Sequence, residues 1–283
     1  MNSSKVKETL LHILFAVCAC MSILAVVTIC VYLFASGIPA IAEIGVTDFL
    51  FGTKWKPSSG YYGIFPMIAG SVMVTGIAIL IGVPLGVLCA VFMAHYCPKG
   101  LYRFVKPAIN LLAGIPSIVY GFFGLVVIVP LMKEALGSGK SILTAGILLG
   151  IMILPTVIKT SEASLNAVPK SYYEGSLALG ATHERSVFFA SLPAAKSGIL
   201  AAIILGVGRA IGETMAVVMV AGNQTKLPDS ITDGVRTLTS NIVIEMGYAS
   251  GLHREALIAT AVVLFVFILL INLSFSALKR RKD

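Results

Sequence analysis

Residues 64–94 read IFPMIAGSVMVTGIAILIGVPLGVLCAVFMA, a stretch with no acidic or basic side chain. A helix needs about 20 apolar residues to cross the hydrocarbon core of a bilayer, and this run exceeds that length. Five other runs behave the same way, near 10–35, 107–131, 141–158, 197–222 and 256–277. The first follows Lys5 and Lys7, but its length exceeds the 7–15-residue apolar core of a signal peptide, so it reads as a retained spanning helix. The whole chain agrees: of 283 residues 57% are hydrophobic and 12% charged, against about 25% charged in a soluble domain. This composition excludes a disordered chain, a secreted disulfide scaffold and an ordinary soluble enzyme.

The net charge of +8 is explained by the distribution of lysine and arginine rather than by nucleic-acid binding. With six alternating helices and an inside N-terminus, Lys5, Lys7, Lys99, Arg103, Lys106, Lys159, Lys170, Arg185, Lys196 and the tail Lys279, Arg280, Arg281 and Lys282 face the cytoplasm. Lys54, Lys56, Lys133, Lys140, Lys226, Arg236 and Arg254 fall outside, a split of thirteen to seven. Both termini are therefore expected inside. The five cysteines form no Cys-x-x-Cys, and Cys18, Cys20, Cys30 and Cys89 lie within apolar runs, as packing residues do. Phe49, Phe51, Trp55, Tyr61 and Tyr62, in the outer segment 36–63, suit the headgroup zone.

Gly82/Gly86, Gly146/Gly150 and Gly208/Gly212 give the small-xxx-small spacing that lets helix backbones approach closely. Pro84, Pro116 and Pro155 predict kinks. The fifth run holds Gly206-Val207-Gly208-Arg209-Ala210-Ile211-Gly212-Glu213-Thr214-Met215. Arg209 falls about midway along it, where a charge costs about 2.5–3.5 kcal/mol and usually marks a pathway. Glu213 is four residues on, one turn away on the same face, with Gly198, Ala202, Gly206, Gly212, Ala216 and Val220 around the charged side and Leu200, Ile204, Val207, Ile211 and Val218 opposite. A guanidinium fork donates to a tetrahedral oxyanion, and an ionised carboxylate only accepts. The pair thus suits an oxyanion that still carries a proton, such as phosphate, over fully deprotonated sulfate. The plainer reading is an intrahelical ion pair. In Ala113–Gly121, Ser117 and Tyr120 share a face beside Pro116; they could donate to an anion path or join helices to each other.

The segment 159–196 contains Glu174-Gly175-Ser176, Gly180 six residues after Glu174, and Leu192-Pro193 further on. Residues 171–179 can form a short helix that Gly180 stops. The pattern resembles the EAA loop of ABC-importer permeases, with Gly175 and Ser176 in place of the two alanines. The string Arg209–Val217 with Thr214, the segment Ala113–Gly121, and Phe49-Leu50-Phe51-Gly52-Thr53-Lys54-Trp55-Lys56-Pro57 resemble phosphate-importer permeases, and Met215-Ala216-Val217 and Thr53-Lys54-Trp55-Lys56-Pro57 resemble the PstC-type rather than the PstA-type subunit.

The resemblance implies an all-α membrane protein of six transmembrane helices with a MetI-like ABC-importer permease core, in the bacterial cytoplasmic (inner) membrane. Residues 1–63 would add an N-terminal helix and outer segment to a five-helix core, 64–283. It implies a heterodimer with a PstA-type permease subunit, two ATP-binding subunits and an extracytoplasmic phosphate-binding protein. It places Arg209, Glu213, Thr214, Ser117 and Tyr120 on the translocation path. Glu174, Gly175, Ser176, Gly180, Leu192 and Pro193 would lie in the ATPase-coupling loop. No Gly-x-x-x-x-Gly-Lys-Ser/Thr is present, so ATP is expected to be hydrolysed by a partner subunit. His12, His95, His183 and His253 make no metal spacing, and no cofactor is expected. A permease for sulfate or molybdate, and an ATP-independent anion carrier, are the alternatives.

Overall fold

In the computed structural model, backbone is described for residues 3–280 and side chains for residues 8–274. Lys5, Lys7 and the tail Lys279, Arg280, Arg281 and Lys282, used above for orientation, lie outside the described side chains. The chain begins with α1 (Ser3–Ile44) and α2 (Val46–Phe51), then a hairpin in which β1 (Trp55–Lys56) pairs antiparallel with β2 (Tyr61–Tyr62). Next come α3 (Phe65–Val91), α4 (Lys99–Gly114), α5 (Ser117–Phe123), α6 (Val129–Leu136) and α7 (Ile142–Asn166). Short helices α8 (Lys170–Ala178), α9 (His183–Ser186) and α10 (Leu192–Ala194) precede α11 (Lys196–Gly212) and α12 (Met215–Val220). The chain closes with α13 (Leu238–Glu245) and α14 (Leu252–Arg280).

Five segments of the described residues are long and apolar enough to cross a membrane: Glu8–Ile44, Phe65–Tyr96, Ser117–Leu136, Ile142–Asn166 and Leu252–Ser274. A sixth is formed only if His183–Ala194 and Lys196–Gly212, bent by 69°, count as one. Two of the six sequence runs are thus divided. Pro116 forces Ile115 out of the helical region, so the run 107–131 splits into the end of α4 and a span starting at Ser117. The run 197–222 stops at Gly212, because Glu213 is extended and α12 starts afresh at Met215. Pro84 and Pro155 lie inside continuous α3 and α7.

The centre of the bundle is α3 against α7, with α11 packed on both. The small-residue spacing explains the closeness of the pair. A Cβ on Gly82 would lie 2.7 Å from the Gly150 carbonyl oxygen, and one on Gly146 would lie 2.5 Å from Ile77 Cγ2. Gly208 and Gly212 differ: a Cβ on either meets nothing within 4 Å. Around this seam Val74, Ala78, Leu148, Leu149, Met152 and Ile153 form the main core with Val217 and Val220 of α12. Val207 and Ile211 of α11 are also buried.

A second core closes one end of the bundle, where α1 and α2, the hairpin, α13 and the start of α14 meet. Phe49, Trp55 and Tyr62 are buried in it, which corrects their assignment to the headgroup zone; Phe51 and Tyr61 stay exposed. The reason is polar as well as apolar: Trp55 Nε1 donates to Glu245 Oε2 at 2.9 Å, and a buried indole N–H needs such a partner. A third core at the other end joins α3, α4, α7 and the α9–α11 segment through Val91, Ile109, Leu165, Val187 and Ile199. There the buried Glu162 of α7 accepts from Tyr102 and pairs with Lys106 at 3.3 Å, fastening amphipathic α4 to the bundle.

Candidate functional site

The break between α11 and α12 brings a guanidinium and a carboxylate to the end of a candidate span. Non-helical backbone at membrane depth is tolerated only where protein buries it or water reaches it, so each group at the break needs a partner. Arg209 sits in the last turn of α11, where a cation offsets the negative end of the helix dipole. Its Nη1 donates to Thr156 Oγ1 of α7 at 3.0 Å. Glu213, the first non-helical residue, does not lie one turn beyond Arg209 on a shared face, and the two are not among the ion pairs of the described residues. That corrects the intrahelical pair read from the sequence. Instead Glu213 Oε1 accepts from the N–H groups of Thr214 at 3.1 Å and Ala216 at 3.2 Å, capping α12. Thr214 Oγ1 turns back to the Gly212 carbonyl at 3.3 Å. The Glu213 carbonyl accepts from Thr239 Oγ1 at 3.1 Å, which ties the break to α13.

Arg209 and Glu213 thus lie on either side of the break without pairing with each other. One guanidinium N–H is used by Thr156, and the fork's other four have no hydrogen-bond partner among the described residues. Glu213 Oε2 has no hydrogen-bond partner among the described residues. The neighbouring Gly208 and Gly212 leave this side open. Tyr120 is buried next to this region in the main core, but its hydroxyl donates to the Leu112 carbonyl at 2.9 Å. It bridges the α4–α5 break. Ser117, the first residue of α5, is half-buried.

The second cluster lies at the α8 end of the bundle. α8 stops as expected: Gly180 has φ +87°, its N–H bonds the Leu177 carbonyl, and the Ala181 N–H bonds that of Ser176. These are the two bonds of a Schellman cap. Glu174, Gly175, Leu177 and Leu179 of this segment are exposed, a mixed apolar and acidic surface. Ser176 faces inward, with its Oγ 3.0 Å from Ser186 Oγ of α9. Leu192 is partly buried in the third core and Pro193 is exposed at the start of α10.

Sequence reasoning missed the polar cluster at the hairpin end. Glu245 of α13 accepts from Trp55, from the Arg236 guanidinium and, at 2.8 Å, pairs with His253 Nε2 of α14. Arg236 also donates to the Asn223 carbonyl at 3.2 Å and to Asn241 Oδ1 at 3.0 Å. Burial raises the Glu245 pKa, but the hydrogen bonds from Trp55, Arg236 and His253 outweigh it and hold the carboxyl below its usual range.

Residues 82–283 match the family described as binding-protein-dependent transport system inner membrane component. A probable ABC transporter permease protein, YqgH, of Bacillus subtilis is 40% identical over 267 residues, covering 90% of this chain and 86% of the relative. The phosphate transport system permease protein PstC of Haemophilus influenzae is 35% identical, covering 77% and 76%. Among solved structures, a chain of a bacterial alginate ABC transporter covers 98% of this chain and 96% of its own, with a TM-score of 0.65 at 16% identity. A chain of the MetNI methionine ABC transporter covers 78% and 94%, with a TM-score of 0.58 at 22% identity. The chain belongs to the binding-protein-dependent transport system inner membrane component family. It is a multi-pass inner-membrane permease subunit of an ABC importer, with the MetI-like fold. Such a subunit works with a second permease subunit, ATP-binding subunits and a binding protein. Family membership sets aside the ATP-independent carrier.

Proposed function

We propose that the chain is the PstC-type subunit of an ATP-driven importer of inorganic phosphate, paired with a PstA-type subunit, two ATP-binding subunits and an extracytoplasmic phosphate-binding protein. The observation that carries this reading is the Arg209 guanidinium at a broken span, with four N–H donors unused and no carboxylate of the described residues neutralising it. The PstC relatives support the choice of substrate. The hairpin end faces the extracytoplasmic side and both termini the cytoplasm, in keeping with the lysine and arginine bias. Residues 64–283 form the translocating core, and 1–63 add a helix and an outer segment. The bundle opens to one side at a time. Arg209 draws the anion to the break, and Glu213 Oε2 accepts a hydrogen bond from the O–H that phosphate still carries. Binding there must stay weak enough for release. The exposed face of α8, with Glu174, Gly175 and Gly180, docks on an ATP-binding subunit.

The test is uptake of radiolabelled phosphate at low external concentration by cells expressing the chain with its partners, with excess sulfate present. Sulfate-resistant uptake is expected. Sulfate or molybdate uptake without phosphate uptake from the same assembled complex would overturn the substrate. Glu213→Gln separates two roles of one side chain. Its amide oxygen can still cap α12, so assembly should be unchanged. Its NH₂ replaces the acceptor Oε2, so the uptake rate should fall about tenfold, the worth of about 1.4 kcal/mol. Parental uptake in this variant would make Glu213 a cap only.

A further inference from the structure

The short helix α8 has backbone joints on both sides: Pro169 precedes it without a side-chain cap, and the left-handed Gly180 ends it. A push on such a segment would be spent rotating it unless it were fastened to its neighbours. Two ties fasten it to α9. Tyr173 Oη and His183 Nδ1 are 2.6 Å apart, and Ser176 Oγ lies 3.0 Å from Ser186 Oγ one turn further along. The same two rings reach α3's continuation, the π-helical turn Phe92–Tyr96. His95 stacks on Tyr173 with centroids 6.1 Å apart, and Tyr96 meets His183 edge-on at 4.7 Å. On another side of Tyr173 lies a cavity of about 350 Å³ lined by His95, Asn166, Tyr173, Glu174 and Ser191.

From α9 the chain runs on through the π-helical turn Val187–Ser191 and α10, bends by 69°, and enters α11. α11 is 17 residues long, about 25 Å, and Arg209 is in its last turn. We propose that Tyr173 and His183 form the joint that turns movement of α8 into movement of α11 and α3, making both positioning residues for transport rather than docking or anion-contacting groups. The proposal rests on the reading of α8 as the surface that the ATP-binding subunit engages. Without the joint, α8 still docks and ATP is still hydrolysed, but the stroke is lost between α8 and α9.

The test uses the complete importer in proteoliposomes. Tyr173→Phe keeps the ring packing and deletes only the hydroxyl. Two quantities are read: phosphate transported per ATP hydrolysed, and the ATP-dependent change in alkylation rate of Leu205→Cys, an exposed α11 position, in a chain stripped of its five cysteines. Tyr173→Phe should keep the ATPase subunits bound and hydrolysing, lower the transport-to-ATP ratio several-fold and abolish the change at position 205. Tyr173→Phe/His183→Ala should be no worse than either single variant. An unchanged ratio with an unchanged response at 205 would overturn the joint. So would loss of the ATPase subunits, because the hydroxyl would then serve docking. Gly180→Pro runs in parallel and distorts α8 itself. If it leaves both readouts at parental values, the docking role of α8 falls. If it alone uncouples, only the joint falls. The alkylation readout needs no transported substrate, so a wrong choice of phosphate shows separately, as a parent that responds at 205 without phosphate uptake.

Discussion

Arg209→Gln should leave the importer assembled and stop it. The two properties separate because the charge is a burden to the fold. Insertion scales charge up to about 2.5–3.5 kcal/mol for an arginine in a span, and less toward its end, where Arg209 lies in the last turn of α11, so its removal should not weaken insertion. The neutral amide that replaces the guanidinium gives up the bond to Thr156 Oγ1, the one protein bond that Arg209 makes among the described residues, and leaves no unpaired charge behind. What disappears is the charged fork. A hydrogen bond to a charged group contributes about 1.5–3 kcal/mol, and two lost from a bound anion amount to about a hundredfold or more in uptake rate. Arg209→Lys keeps the charge as a point without the planar fork, and should retain an intermediate rate. The measurement is phosphate uptake normalised to the amount of complex recovered from membranes. Uptake within a factor of two of the parent for Arg209→Gln would reduce Arg209 to the cation that offsets the end of α11.

How far the sequence reached is clearest at the two broken spans. The break at Ile115–Pro116 is legible in kind: Pro116 reads as a kink, and its effect on the preceding residue makes it a full stop. The break at Glu213 has no such mark. Gly212 alone does not stop a helix, and the continuation of the apolar run through Val220 argues for one span. What decides it is tertiary. Thr239, from a segment 26 residues away, holds the Glu213 carbonyl, and the Glu213 side chain restarts the helix at Thr214 and Ala216. The same contrast holds for the glycines. The pairs at 82/86 and 146/150 are legible because α3 and α7 meet within this chain. The pair at 208/212 packs against nothing among the described residues, and the spacing by itself cannot say which helix it faces. The Gly180 stop is legible because a Schellman cap is local. The Trp55–Glu245 contact joins residues 190 positions apart, and no periodicity reports such a pairing.

That contact carries the largest expected effect on stability. Glu245→Ala removes the carboxylate from a buried site that holds Arg236, His253 and the Trp55 indole. Breaking a buried ion pair by deleting one partner costs about 3–5 kcal/mol, mostly the penalty of the charge left behind. The lower end applies here, because Arg236 keeps the Asn223 carbonyl and Asn241 Oδ1 and its side chain is 13% exposed. Thermal unfolding of the purified chain in detergent should therefore begin several degrees lower. Trp55 is the only tryptophan, so its fluorescence reads the loosening of this end directly. The pH dependence has a definite sign. The native carboxyl titrates below the unfolded one, so its stabilisation is full above the ordinary carboxylate range, near about pH 4.3, and is lost as pH falls through the depressed native value. The parent and Glu245→Ala should differ at neutral pH and converge in acid. A difference that grew on acidification would mean that the carboxyl is protonated in the native state. The double variant Arg236→Leu/Glu245→Leu should recover part of the loss, because it buries no unpaired charge. Recovery there, with Glu245→Ala still destabilised, would mean that the network holds the hairpin, α13 and α14 in register by mutual satisfaction rather than by net attraction.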